Sequence, residues 1–351
     1  MPARGEPIRY RVFQIGELQR AAQASNAIEL ANQTQNGFRF EFDDRRQFAL
    51  EERFRLANGG YDLDAAVGSL LRGRRLPKPV VFLTSLPYSD RSSQQDPNGF
   101  FFCDLAVEDG VIIVSTYLWD QLPPEDRRIQ PYILFSLASI AFDFCAGLSV
   151  HDETRGCPFD YCDVPSDIDK SLQAPGLCPE CSRHLDRALR ARQCRLEQAV
   201  AAERLLNRAA GRKQAFVAMP FSPEMEPVFT SVRKALEGHS WKVVRADDVS
   251  YPRSITDAIV HLILASDLVV ADVTGSNPNV FYELGWAHAV EQDVLLLTQE
   301  ERIPFDVTTE RAIRYAPDEQ GAAQLVRQLS EAVGIREQGA DTRAAHEPPS
   351  R

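Results

Sequence analysis

The chain has 351 residues, 44% hydrophobic and 25% charged, with a formal net charge of −11; this is ordinary globular composition, and ~150 residues per domain gives two or three domains. The acidic balance excludes a chain-wide nucleic-acid footprint, so no direct nucleic-acid partner is expected, and an anionic ligand would need a local device such as a helix N-terminus. No apolar run reaches the ~18 residues of a membrane span and the N-terminus lacks a signal-peptide core, so no membrane contact and a cytoplasmic location are expected.

In chain order, residues 1 to about 60 read as mostly helical and polar, with helix-type spacing in "FQIGELQRAAQASNAIELAN". "PVVFLTSL" (79–86) and "GVIIVST" (110–116) read as short buried strands, and "SDRSSQQDPNG" (89–99) between them as loop chemistry. "IQPYILFSLASIAFDFCAGL" (129–148) is a strongly apolar, buried helix. Together these predict an α+β domain over 1–181 that ends in a cysteine cluster. Residues 182–212 are charged, Ala-rich and amphipathic, the composition of a helical linker.

From 213 to 336 strands and helices alternate. The strand segments are "QAFVAM" (214–219), "WKVVRA" (241–246), "DLVVADVT" (267–274), "DVLLLTQ" (293–299) and a weaker "RAIRYA" (311–316). This alternation predicts an α/β, doubly wound, parallel five-stranded sheet of flavodoxin-like type, whose ligands sit beyond the carboxyl ends of the strands near the switch in strand order. Residues 337–351 are polar and expected to be disordered.

Two clusters carry chemistry. The first is Cys157-x4-Cys162-x15-Cys178-x2-Cys181. Four thiolates in two close pairs suit a tetrahedral Zn²⁺ with no open position, hence a structural cofactor. Cys103, Cys145 and Cys194 lie outside the pattern. The second is "ADVTGSNPNVFYELGWAHA" (271–289). Asp272 and Thr274 end a strand, Gly275 permits a sharp exit, Ser276 or Asn277 caps the next helix, and Pro278 suits its first turn. Asn279 and Glu283 are four apart and share one helical face. A carboxylate there can attack an anomeric carbon or stabilise an oxocarbenium ion, as cleavage of an N-glycosidic bond requires. It could equally do no more than complement the helix dipole. His288 reads as structural or solvent-facing, and Asp306, after the fourth strand, either closes the far side of the crevice or is a turn residue.

On "FVAMPF" (216–221), "ASDLVVADVT" (265–274) and "YELGWAHA" (282–289), the span from Gln214 to Tyr315 resembles the nucleoside 2-deoxyribosyltransferase-like superfamily, which includes the 2'-deoxynucleoside 5'-monophosphate N-hydrolases and is related in fold to TIR domains. The resemblance implies that Glu283 is the nucleophile. It implies that Met219, Pro220 and Phe221 line the nucleoside site, with Ser222 contacting a phosphate or hydroxyl, opposite Gly275, Ser276, Asn277 and Asn279. The family's second catalytic Asp corresponds to Ile259, so the assisting acid must come from Asp272, Asp247, Asp248 or Asp257, with Asp272 and Asp247 first because both lie near strand ends. The implied activity is an N-glycosidase, hydrolase or transferase, acting on a nucleotide, NAD or a nucleoside monophosphate as a homo-oligomer, in a regulated effector of bacterial defence. The alternative is a non-catalytic module that binds a nucleotide signal and is coupled to a zinc-stabilised interaction domain for a regulatory protein partner. The span from Tyr132 to Cys181 resembles archaemetzincin-type metallopeptidases in its Cys pairs and in a candidate third histidine, His151, but has no His-Glu-x-x-His, so it implies a degenerate peptidase fold.

Overall fold

The computed structural model describes residues 6–72, 76, 78–89, 103–104, 110–117, 129–148, 150–151, 156–161, 165–173, 176–247, 255–301 and 312–344. Cys162, Asp248, Asp306 and nearly all of the 89–99 loop lie outside them. The chain divides into two units, Met1–Ala210 and Gly211–Arg351.

Unit 1 opens with strands, not helices. β1 (Ile8–Ile15) pairs in parallel with β2 (Phe38–Phe48), and only α1 (Ala21–Thr34) between them is helical. The expectation of a mostly helical start missed a period of two: Ile8, Tyr10 and Val12 point inward while Arg9 is exposed. Then follow β3 (Tyr61–Asp62), α2 (Leu63–Arg72), β4 (Val80–Thr84), β5 (Tyr88–Ser89), β6 (Cys103–Asp104) and β7 (Val111–Ser115). The main sheet has the order β2-β1-β4-β7-β6, parallel except for the antiparallel β6–β7 edge. The central strands β4 and β7 are buried at every position, so both faces are covered. Val12, Val81, Leu83 and Val114 face α1 and the helices that follow, while Phe13, Phe82, Val80 and Ile113 face Val67 of α2.

The rest of unit 1 is helical: α3 (Ile129–Ala146), α4 (Pro165–Gln173), α5 (Pro179–Arg190) and α6 (Leu196–Ala209). α3 is 18 residues long with a mean hydropathy of 1.4, so by length and composition it reaches the membrane-span threshold that the sequence was expected to miss. It is instead enclosed by α1, α5 and α6, which accounts for an apolar surface on every side. The segment 182–212 is no free linker. α6 packs on α3 and α1, with Ala199, Ala202 and Leu205 fully buried. Its small residues let the chain approach closely: a Cβ on Gly37 would lie 2.7 Å from Ala201 Cβ and 3.0 Å from the Glu197 carbonyl.

Unit 2 is the expected doubly wound sheet. β8 (Lys213–Ala218), β9 (Trp241–Val244), β10 (Leu268–Asp272), β11 (Val294–Thr298) and β12 (Ala312–Arg314) pair in the order β12-β11-β10-β8-β9, all parallel. α7 (Glu226–Glu237) and α10 (Glu319–Ala344) cover one face through Phe229, Val232, Leu325 and Leu329. α8 (Ile255–Ala265) and α9 (Pro278–Ala289) cover the other through Leu262, Ile263, Val280 and Leu284. α10 continues to Ala344, into the segment expected to be disordered from 337; Glu, Gln, Arg and Ala there are strong helix formers.

Candidate functional site

The first strand of unit 2, β8, lies between β9 and β10, so the connections leave in opposite directions at the β8/β10 boundary. That is the switch point where a doubly wound sheet opens a crevice. Two chain segments emerge there: Met219–Ser222 after β8, and Val273–Asn277 after β10, which leads into α9.

The β10–α9 turn is built by local chemistry. Gly275 has φ +69° and Ser276 φ +52°, and no heavy atom within 4 Å would obstruct a Gly275 side chain, so the glycine is needed for its conformation. Asn277 caps α9, its Oδ1 accepting from the Asn279 N–H at 2.9 Å, and Pro278 occupies the first turn. The turn is tied to the end of β11: the Gln299 N–H donates to Thr274 Oγ1 at 3.0 Å, and the Gly275 N–H donates to Glu300 Oε1 at 3.1 Å. Gly275, Ser276 and Asn279 are exposed and Asn277 half-buried.

Glu283 lies in the second turn of α9 and is 95% buried, with no hydrogen bond or ion pair among the described residues. Burial alone pushes its carboxyl up to about 7. Asn279, Tyr282, Glu283 and Trp286 recur at i, i+3, i+4 and i+7 and share one helical face. Tyr282 and Trp286 are exposed, as is Phe221 on the neighbouring segment. The Arg245 guanidinium lies 5.4 Å from the Phe221 ring centroid, so Tyr282 and Trp286 are the exposed aromatics of α9 that could stack a planar ring. The spacing of Tyr282 and Trp286 was present in the sequence, but their exposure was not.

The expected substrate residues after β8 divide. Met219 is 3% exposed and belongs to the core. Pro220 and Ser222 are half-buried, and Phe221 is exposed. Ser222 hydrogen-bonds Glu224, which lowers that carboxyl below its ordinary value.

Neither favoured assisting acid is free. Asp272 is buried; its Oδ1 accepts from the Thr274 N–H at 3.0 Å and its Oδ2 from the Tyr315 hydroxyl at 2.5 Å. Burial and the Asp272 charge together raise the Tyr315 hydroxyl, so the phenol stays a donor. Asp247 chelates Arg245, at 2.6 Å (Nε–Oδ1) and 2.7 Å (Nη2–Oδ2), and this pairing holds Asp247 below the usual carboxylate range. Arg245 also pairs with Glu226 at 2.9 Å and lies 4.0 Å from the Phe229 ring centroid. An ionised carboxylate locked on arginine cannot donate a proton near neutrality. Tyr315, Arg245 and Glu300 escaped the sequence reading because each acts through a partner that periodicity does not reveal.

In unit 1, three of the four expected metal cysteines converge. Cys157, Cys178 and Cys181 are buried, and their sulfurs together with a nitrogen of His151 all lie within 4.8 Å of one another. Cys162 is outside the described residues. Cys178 caps α5, its Sγ accepting from the Cys181 N–H at 3.5 Å. Burial pushes the Cys157 thiol up to about 11 and raises Cys181 further, whereas amides at the start of α5 bring Cys178 below its ordinary value against its own burial. Burial without charge compensation thus keeps two of the thiols protonated, and a divalent cation is the group that would ionise the set. The donor set fits one.

No protein-family model matches the chain, and no curated protein does. Among solved structures, the archaemetzincin of Methanopyrus kandleri is similar at 17% identity and a TM-score of 0.39, over 54% of this chain and 99% of that one. The CMP N-glycosidase BcmB of Clostridium botulinum is similar at 23% identity and a TM-score of 0.27, over 33% and 98%. A 2-desoxiribosyltransferase of Leishmania mexicana is similar at 23% identity and a TM-score of 0.24, over 26% and 67%.

Proposed function

We propose that unit 2 cleaves an N-glycosidic bond with Glu283 as nucleophile. The carrying observation is a glutamate that is buried as a residue and has no hydrogen bond or ion pair among the described residues, on the helix flanking the switch-point crevice. A Glu283 oxygen attacks the anomeric carbon, the C–N bond breaks with its electron pair leaving on the base, and water then cleaves the glycosyl ester and restores the carboxylate. A desolvated carboxylate is costly in the free enzyme; it becomes favourable when positive charge develops beside it, which is the differential stabilisation catalysis needs.

The engagement of Asp272 and Asp247 favours one substrate class. A leaving group that starts as a cation, such as the nicotinamide of NAD, departs neutral and needs no proton. An ordinary nucleotide base needs an acid. The reading is therefore an NAD-type glycohydrolase first, and a nucleoside monophosphate hydrolase second. The same engagement supports a binding module as the alternative. The test is a panel of NAD, nucleoside monophosphates and deoxynucleosides, with release of nicotinamide or base followed beside Glu283→Gln. Release from NAD above all others supports the order given; faster release from a monophosphate reverses it.

In unit 1 the same proposal places a structural Zn²⁺ on the cysteine cluster, where it would tie the segment after α3 to the start of α5. Unit 1 would then serve as the regulatory part, controlling assembly into a homo-oligomer or meeting a partner protein, because an ungated NAD or nucleotide hydrolase in the cytoplasm would be toxic.

A further inference from the structure

The β10–α9 turn is held by more than its own residues. We propose that Tyr315 is a positioning residue for Glu283: its hydroxyl closes a circuit of hydrogen bonds with Asp272, Thr274 and Gln299 that fixes the point from which α9 starts. This rests on the reading of Glu283 as the nucleophile.

The circuit joins the carboxyl ends of three strands. The Tyr315 hydroxyl, just past β12, donates at 2.5 Å to Asp272 Oδ2 at the end of β10. Asp272 Oδ1 accepts from the Thr274 N–H at 3.0 Å. Thr274 Oγ1 accepts at 3.0 Å from the N–H of Gln299, just past β11. Gln299 Nε2 donates back to the Tyr315 oxygen at 3.0 Å. Each of the four residues is thus bonded to two of the others. Tyr315 is anchored in turn by its own N–H, which donates to the Thr298 carbonyl at 3.1 Å. Asp272 and Tyr315 are 1% and 5% exposed. A buried carboxylate is costly unless its oxygens are satisfied, and an apolar residue would fill the same space without that cost. What the carboxylate adds is direction: it fixes the Thr274 amide where the chain leaves the sheet. Burial and the Asp272 charge raise the Tyr315 hydroxyl, so it stays the donor near neutrality.

Glu283 needs such a device. No hydrogen bond or ion pair among the described residues orients its side chain, so its place is set by the backbone of α9 and by the packing of Val280, Leu284 and Ala287 on the sheet. The Asn277 cap lies three residues beyond Thr274, and Glu283 six beyond the cap, so a shift of the turn passes directly to the start of the helix. Misplacing a reacting group by about 1 Å can cost on the order of 10²-fold in rate. Glu300 adds a second tie to the same turn through the Gly275 N–H. Tyr315 touches none of the reacting atoms in this account; it acts on Glu283 through Asp272 and the turn.

The test uses the full-length protein and NAD. Tyr315→Phe removes only the hydroxyl. It is expected to lower kcat for nicotinamide release by about 10²-fold and to leave KM for NAD within about twofold. Hydrogen exchange should quicken at the amides of Thr274 and Gln299 and stay unchanged in α7. Thr274→Val opens the circuit at a different bond and serves where Tyr315→Phe does not fold; Thr274→Ser, which keeps the oxygen, should recover the rate that Thr274→Val loses. Because either change opens one circuit, Tyr315→Phe combined with Thr274→Val should cost little more than the worse single change. Additive losses, an unchanged kcat in Tyr315→Phe, or exchange that quickens evenly through unit 2 would overturn the positioning role, and with Glu283→Gln still slow would leave the nucleophile standing. Release that survives Glu283→Gln, or none from the wild type, removes the nucleophile and overturns both.

Discussion

Glu283 is in tension with its own fold. Its carboxyl titrates near 4.5 in the unfolded chain and at about 7 in the folded one, because burial disfavours the charge. The folded state therefore holds the proton more tightly. Below about pH 4.5 both states are protonated and there is no penalty; it grows between 4.5 and 7 and is complete above, amounting to about 3 kcal/mol at ~1.4 kcal/mol per pH unit. Glu283→Gln should consequently stabilise unit 2 more at pH 8 than at pH 5, read as the difference between denaturant midpoints at the two pH values. An equal effect at both would mean that Glu283 is not desolvated. The sequence exposed this residue through an odd carboxylate among apolar neighbours, Tyr282 and Leu284. It concealed the engagement of Asp272, because Tyr315, which holds it, is 43 positions away.

Among the elements, legibility followed the strength of local periodicity. The strands of unit 2 are within two residues of their expected ends because short runs of Val, Leu and Ala are bounded by polar turns. β1 and β2 were missed because Arg9, Arg39 and Glu41 alternate with apolar residues and dilute the average, although the alternation is itself the strand signal. α6 was misread for a different reason: an Ala-rich charged helix looks the same in sequence whether it crosses solvent or packs against a neighbour. Its packing is testable at Gly37, where any side chain meets α6. Gly37→Ala should destabilise unit 1 by about 1–3 kcal/mol through overpacking against a helix backbone; a neutral result would mean α6 is free to move away. The cysteine cluster predicts a second loss. Stripping the metal with a chelator should lower the thermal transition of unit 1 and leave that of unit 2 in place, because the thiols and α5 lie in one unit only. A concerted shift of both transitions would contradict this.

At the scale of the whole chain, the division at residue 210/211 decides where the protein can be cut. A chain that begins at residue 196 keeps α6 without the helices it packs on and turns Ala199, Ala202, Leu205 and Leu206 to water; it should aggregate. A chain beginning at residue 211 should remain folded with Glu283 in place. If unit 1 acts as a gate, this shorter chain should release base or nicotinamide faster than the full chain or change its oligomeric state in size-exclusion chromatography. An unchanged rate together with an unchanged state would remove the regulatory role and leave unit 1 as a separate module.

Cleavage of a glycosidic bond by Glu283 is read out by nicotinamide release from NAD across pH 5–9, wild type against Glu283→Gln. The expected profile for the wild type rises through an apparent pKa near the Glu283 value of about 7 and levels off above it, because only the ionised carboxylate attacks. Glu283→Gln should be slower by on the order of 10³-fold or more on the plateau above neutrality, the gap narrowing toward pH 5 as the wild-type carboxylate is protonated. Release that survives the substitution with the same pH profile would contradict the account.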